Sequence, residues 1–257
     1  MKIRTNSISN KECGMRNKNE AASGARQIRT LAAFTLIELL VVISIIAVLA
    51  AFTIPVLNTV ARKKVLDRTR AEMAQIETAI DSYKAAYGFY PPSNPKYLPN
   101  NSTTWDQAMI SPLYFELLGT TNNNGTYYTL DGSASIGADP LNMQSAFGVS
   151  GFVNSSKTGA AEDAPAARNF LPALNSNRFS SASNNTVVAT VFVASVGGPD
   201  VKYHPFHDTP GFNPWRYVSP GVNNPNSYDL WVQLVISGKT NLVCNWSKQV
   251  QLNSPLP

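Results

Sequence analysis

The chain is poor in the side chains that run most chemistry. It has two histidines and two cysteines in 257 residues. Cys13 lies near the start and Cys244 near the end, so removal of the first segment would leave one thiol and no internal disulfide. A lone cysteine gives no metal or redox framework, and Cys244 is expected to be a buried small hydrophobe. His204, His207 and Asp208 sit together in "HPFHD", but no third ligand stands at metal spacing. They read as a loop pair without function. No G-x-S-x-G, phosphate-loop or H-E-x-x-H pattern occurs, so no catalytic residue is assigned and an enzyme is not expected.

The net charge of +5 suggests an acidic partner only until its distribution is read. Lys2, Arg4, Lys11, Arg16, Lys18, Arg26 and Arg29 stand against Glu12 and Glu20 within residues 1–33, which accounts for all of it. The remainder is balanced. Nucleic-acid binding needs a basic patch on a folded face, and the global charge does not supply one; no nucleic-acid partner is expected.

What the chain does have is one long apolar run, "LAAFTLIELLVVISIIAVLAAFTIPVL", at 31–57. As a helix, 34–57 spans about 36 Å, enough for a hydrocarbon core of about 30 Å. Glu38 lies inside it, where a carboxylate is costly. Residues 1–30 are polar, basic and without apolar periodicity, which reads as disorder. Beyond the run, Leu66, Thr69, Met73, Ile76, Ile80, Tyr83 and Tyr87 recur at helical spacing. Arg68, Arg70, Glu72, Glu77, Asp81 and Lys84 lie mostly off that stripe. One helix over about 34–86 is predicted, with Pro55 as a kink and Gly88 with Pro91-Pro92 as its stop. Its stripe is expected to pack on a sheet.

Residues 93–200 are rich in Asn, Ser, Thr, Gly and Ala. Short strands between polar turns are expected, most clearly at Val187–Val196, and 148–168 reads as a mobile loop with little to bury. In the last part, Tyr228, Leu230, Val232, Leu234 and Ile236 share one strand face. "SGKTN" can turn into a last strand at Leu242–Trp246, giving an antiparallel hairpin with one face on the helix.

Three readings of 1–57 are open. An ordinary signal peptide would use the small residues at Ala50-Ala51, and a plain signal anchor would stay uncut; neither needs Glu38. The third accounts for the acid. "AAFTLIELLVVISIIAVLAAFTIP" resembles the class III signal of type IV prepilins and type II secretion pseudopilins. The resemblance implies cleavage between Ala33 and Phe34 by a prepilin peptidase, N-methylation of Phe34, and a role for Glu38 and Phe34 in subunit assembly. A neighbour's Phe34 amine would meet Glu38 in low dielectric. The alternatives are pairing of Glu38 with its own amine, or snorkelling to headgroups. Ala33 stands where the family usually has Gly, and the leader is long.

"YKAAYGFYPPS", "PWRYVSPGVNNPNSYDLW" and the closing Asn245-Trp246 resemble the major pseudopilin of type II secretion. The implied fold is α+β and type IV pilin-like. A long N-terminal helix, transmembrane in its first half, packs on a small antiparallel sheet with a large insertion. The implied parts are a cleaved leader (1–33), a transmembrane and filament-core half-helix (34–57), an amphipathic half (58–90), a loop-rich insertion (91–200) and a C-terminal hairpin region (201–257). Excision of about 99–200 is then expected to leave a folded scaffold. The family's calcium loop follows "DLW"; here no acid follows Asp229, so the site is not carried over past Trp231. Either calcium is not bound, or hairpin pairing holds the loop.

The function implied is a pseudopilin that polymerises into a periplasmic pseudopilus. Its implied partners are copies of itself, minor pseudopilins, the prepilin peptidase, the inner-membrane secretion platform and membrane lipid. The alternatives are a pilin for adhesion, motility or DNA uptake, and an exported binding or hydrolytic domain with an ordinary signal. The implied location is a bacterial inner membrane, single-pass, with a cytoplasmic leader and a periplasmic globular part. Charge does not decide this orientation, because Arg16, Lys18, Arg26 and Arg29 are matched by Arg62, Lys63, Lys64, Arg68 and Arg70 across the run.

Overall fold

The computed structural model describes side chains at 34–52, 59–96, 108–137, 143–157, 166–181, 188–196 and 212–252, and backbone also at 53–58 and 182–183. The chain packs as two units, Met1–Ala51 and Phe52–Pro257. Helix α1, Leu36–Tyr87, runs through the boundary and is not ended by Pro55. It stops where expected. Gly88 takes φ +84°, a left-handed conformation that favours glycine, and its N–H closes on the Lys84 carbonyl at 2.7 Å.

The second unit is α+β. Short helix α2 (Leu113–Leu118) leads into β1 (Thr120–Asn123), β2 (Thr126–Thr129) and β3 (Ser135–Gly137). These join β4 (Ser155–Lys157) in the order β3-β2-β1-β4, with β1 and β4 parallel. β5 (Phe179–Ser183) and β6 (Val188–Phe192) form a separate antiparallel pair. The C-terminal sheet is antiparallel, in the order β10-β9-β8-β7: β7 is Arg216–Val218, β8 Asp229–Ile236, β9 Lys239–Cys244 and β10 Ser247–Leu252.

The C-terminal hairpin differs in detail from the expectation. The turn is only Ser237-Gly238, both with positive φ, which matches the twist of adjacent strands. Lys239, Thr240 and Asn241 therefore already belong to β9 and pair with Ile236, Val235 and Leu234. A fourth strand, β10, follows and was not expected, because "SKQVQL" has little apolar alternation. The segment after Trp231 is thus held by ladder pairing between β8 and β9.

Leu230, Val232 and Leu234 are buried on one face of β8, as expected, with Tyr228 buried just before the strand and Ile236 partly covered. The opposite face is covered too. Trp231 packs with Ala108, Val218, Leu242, Cys244 and Trp246 in a second cluster. Cys244 is the small buried residue foreseen, and burial pushes its thiol up.

The helix stripe is buried at Leu66, Thr69, Ile76, Ile80 and Tyr83, with Met73 and Tyr87 partly covered. Its partners come from two regions. The C-terminal sheet gives Tyr217, Leu230, Val232, Leu234 and Val243. The middle region gives Tyr114, Phe115, Leu117, Leu118, Phe147, Phe152 and Phe192 to the same core. This shared core speaks against a removable insertion: low charge in 93–200 hid aromatic anchors scattered among the polar residues. The described part of 148–168 is likewise anchored, with Phe152 stacked on Phe115 at 4.9 Å and Asn154 buried.

Two acids mark how closely the regions are joined. Glu72, read from sequence as off the stripe, is buried. It pairs with Arg68 at 3.3 Å and Arg178 at 3.5 Å and accepts from the Ser195 N–H. Glu116 of α2 is fully buried. Its Oε1 accepts from the Val153 N–H at 2.8 Å, and its Oε2 from the Asn154 N–H at 2.9 Å and the Tyr83 hydroxyl at 3.0 Å. Tyr87 donates to Asn154 Oδ1 at 2.7 Å, so one polar network ties α1 to α2 and to the 152–154 segment.

This network gives a stability test. Glu116→Leu leaves three donors without an acceptor, of which the Asn154 N–H and the Tyr83 hydroxyl are buried, at about 1–3 kcal/mol for each buried one. A loss of several kcal/mol is expected in chemical denaturation of the full chain in detergent. Glu116→Gln keeps the shape, orphans fewer donors and should cost less. Burial raises the Glu116 pKa above the usual carboxylate value despite its hydrogen bonds. Protons therefore bind the folded form better. The stability that this contributes is full below the unfolded pKa and is lost as pH rises through the folded one. Wild type should accordingly gain on Glu116→Gln as pH falls from neutral toward about 4.5.

Candidate assembly site

The start of α1 is built by a capping pair. Thr35 stands at the N-cap and Glu38 at the third helical position, the spacing of a capping box. The Glu38 N–H donates to Thr35 Oγ1 at 3.3 Å, while Glu38 Oε2 accepts from the Thr35 N–H at 2.9 Å and the Thr35 hydroxyl at 2.7 Å. Two otherwise orphaned backbone donors are satisfied, and the anion sits where the helix dipole favours it. The signal for this was present in "TLIE" but was overshadowed by the apolar run. Glu38 thus has a local partner within its own chain besides the amine considered from sequence.

After the cap comes apolar surface that the described residues leave exposed. Every side chain described between Phe34 and Phe52 is exposed, including Phe34 at 78%, Leu36 at 82% and Phe52 at 73%. Ser44 returns its hydroxyl to the Val41 carbonyl at 2.7 Å and so presents little polarity. Isolated exposed apolar residues are ordinary, but a helix apolar on every side is a surface that needs a cover. Among the described residues, no helix is long and apolar enough to cross a membrane. The described apolar side chains end at Phe52, whereas the sequence run continues to Leu57.

Ala33 lies outside the described residues, as do His204, His207 and Asp208. Pro55 lies within α1, where only backbone is described. Phe34 stands just outside the first turn of α1, beside Thr35.

The C-terminal motifs form one local unit. Asp229 is buried and accepts from the Asn223 N–H at 2.7 Å, the Asn224 N–H at 3.0 Å and Asn223 Nδ2 at 3.1 Å. Asn245 Nδ2 donates to the Tyr228 carbonyl at 2.9 Å, and its Oδ1 accepts from the Leu230 N–H at 3.0 Å. A Cβ on Gly221 would fall 2.5 Å from Asp229 Oδ1, so the loop can approach only as glycine. "SPG", "YDLW" and the asparagine of "NW" are therefore residues that hold one loop onto β8. Among the described residues, no group of three or more His, Cys, Asp or Glu is placed to hold a metal.

No curated protein and no solved structure matches the chain. Residues 29–54 match the family model described as the prokaryotic N-terminal methylation motif, and this stretch contains Ala33, Phe34, Glu38 and most of the exposed apolar helix. The chain therefore carries the class III signal of type IV pilin-like and pseudopilin proteins.

Proposed function

We propose that the chain is a pseudopilin of type II secretion, made as a precursor and cut before Phe34. The observation that carries this reading is the methylation motif lying on a helix whose described residues 36–52 are exposed on all sides and, Glu38 and Ser44 apart, apolar. Such a surface suits two covers in turn. Lipid covers it before assembly, with the run to Leu57 long enough to span. Other copies of the same helix cover it in the filament core. The pilin-like fold of the globular unit is implied by the long helix and the C-terminal antiparallel sheet. The partners are further copies, minor pseudopilins, the prepilin peptidase and the secretion platform of the inner membrane. The protein acts by polymerising and catalyses nothing.

The choice of secretion over a surface pilus rests on "SPG", "YDLW" and "NW", whose residues support one another around Asp229 and Asn245. Deleting the gene in its host should leave exported proteins trapped in the periplasm, with surface fibres unchanged. Normal secretion together with lost adhesion, motility or DNA uptake would replace this reading with the pilin one.

A further inference from the structure

The apolar run ends at Leu57, and little more than one helical turn later α1 presents Arg62, Lys63 and Lys64. Lys63 and Lys64 are exposed, and neither makes an ion pair among the described residues. A second element joins them. Arg62 donates to Asn241 Oδ1 from Nη2 at 2.8 Å and from Nε at 3.3 Å. The same carboxamide donates from Nδ2 to the Lys239 carbonyl at 2.8 Å. Asn241 is buried, so it acts as a fixed bridge that brings the β8–β9 hairpin tip to the basic triplet. Exposed Lys239 follows directly on the Ser237-Gly238 turn.

The sign of this surface is uniform. No acid occurs between Glu38 and Asp67, and none follows Asp229. Asp67, the first acid on the helix beyond the triplet, lies 4.0 Å from Arg70. Arg62 is thus joined to the hairpin tip through Asn241, and Lys63 and Lys64 follow it around α1 next to the end of the apolar run, with Asp67 one turn further on as the first acid. Hydrogen bonding of Arg62 fixes the arrangement, while the lysine ammonium groups remain free to reach a partner.

We propose that Arg62, Lys63, Lys64 and Lys239 form a collar that binds the phosphate headgroups of anionic lipid. This rests on the membrane-anchored reading above. With a core of about 30 Å and a rise of about 1.5 Å per residue, a span beginning near Leu36 ends near Leu57. The triplet then falls in the headgroup layer, within reach of long basic side chains. Basic residues beside a span are attracted to anionic lipid, and the attraction is screened by salt. The hairpin tip would rest on the bilayer, and release from lipid would free the four cations when a subunit leaves the membrane.

The test uses the full-length protein in nanodiscs of phosphatidylcholine and of an equal mixture with phosphatidylglycerol. A membrane-impermeant amine acylating reagent is applied briefly, and labelling is read by mass spectrometry against exposed Lys157. In the anionic discs, labelling of Lys63, Lys64 and Lys239 relative to Lys157 is expected to fall several-fold, and to recover at molar salt. Equal labelling in the two lipids, or equal protection in both, overturns the collar and leaves the membrane anchor standing. Failure of the protein to enter either disc overturns both.

Discussion

Replacing Glu38 with Val is expected to abolish filament assembly while cleavage after Ala33 and entry into the membrane persist. The reason is electrostatic. Cleavage would leave a charged amine on Phe34, and helix packing carries it into low dielectric. An ion without its counter-charge is strongly unfavourable there, so filament yield should fall at least about tenfold. Glu38 also closes the capping box with Thr35, and Val removes both roles together. Glu38→Gln separates them, because its side-chain carbonyl can still accept from the Thr35 N–H and hydroxyl. If charge pairing drives assembly, Gln is intermediate at best. Cross-linked filaments are scored beside a membrane-fractionation blot. A Gln variant that polymerises like wild type while Val fails would make Glu38 a helix cap and not a charge partner. A Val variant that polymerises normally would remove both explanations.

Excision of 99–200 is expected to unfold the globular unit, with proteolytic loss of the protein from membranes. The helix stripe shows why. Ile76, Ile80 and Tyr83 pack in one cluster with Tyr114, Phe115, Leu117, Phe147 and Phe192, all of which the excision removes. Re-exposing a large apolar side chain costs about 1.5–3 kcal/mol. A few of these exhaust the roughly 5–15 kcal/mol that holds a domain together. The polar losses add to this. Tyr83 would lose Glu116, and buried Glu72 would lose Arg178, the less exposed of its two cationic partners. A protease-resistant, membrane-associated excision variant would show that the C-terminal sheet alone can cover the helix.

The parts legible in the sequence are those whose signal is periodic. The stripe from Leu66 to Tyr87 repeats at helical spacing, and the face of β8 repeats at two, so helix, strand and buried sides follow from simple counting. Gly88 was readable because a left-handed stop favours glycine. In the middle region the strand expected at Val187–Val196 is present as β6, Val188–Phe192, but the rest was not legible, since its anchors are single aromatics such as Tyr114, Phe147 and Phe152 among serines and asparagines, and no period links them. Strand β10 was missed for a related reason: it is an edge strand held by backbone pairing to β9, which "SKQVQL" does not announce. Glu72 and Glu116 look like surface acids until partners distant in sequence are placed beside them. At the assembly site, Phe34 and Glu38 were found through resemblance, while the Thr35 cap lay in plain view as T-x-x-E.

The position at which the mature chain begins decides between a prepilin and an ordinary exported protein. Intact-mass and N-terminal peptide measurement of the protein from host membranes is expected to find a chain that starts at Phe34 and carries one added methyl group on its amine. A chain starting at Phe52, or one retaining the leader through Ala33, would contradict the prepilin reading and with it the filament, the charge pairing and the lipid-anchored precursor.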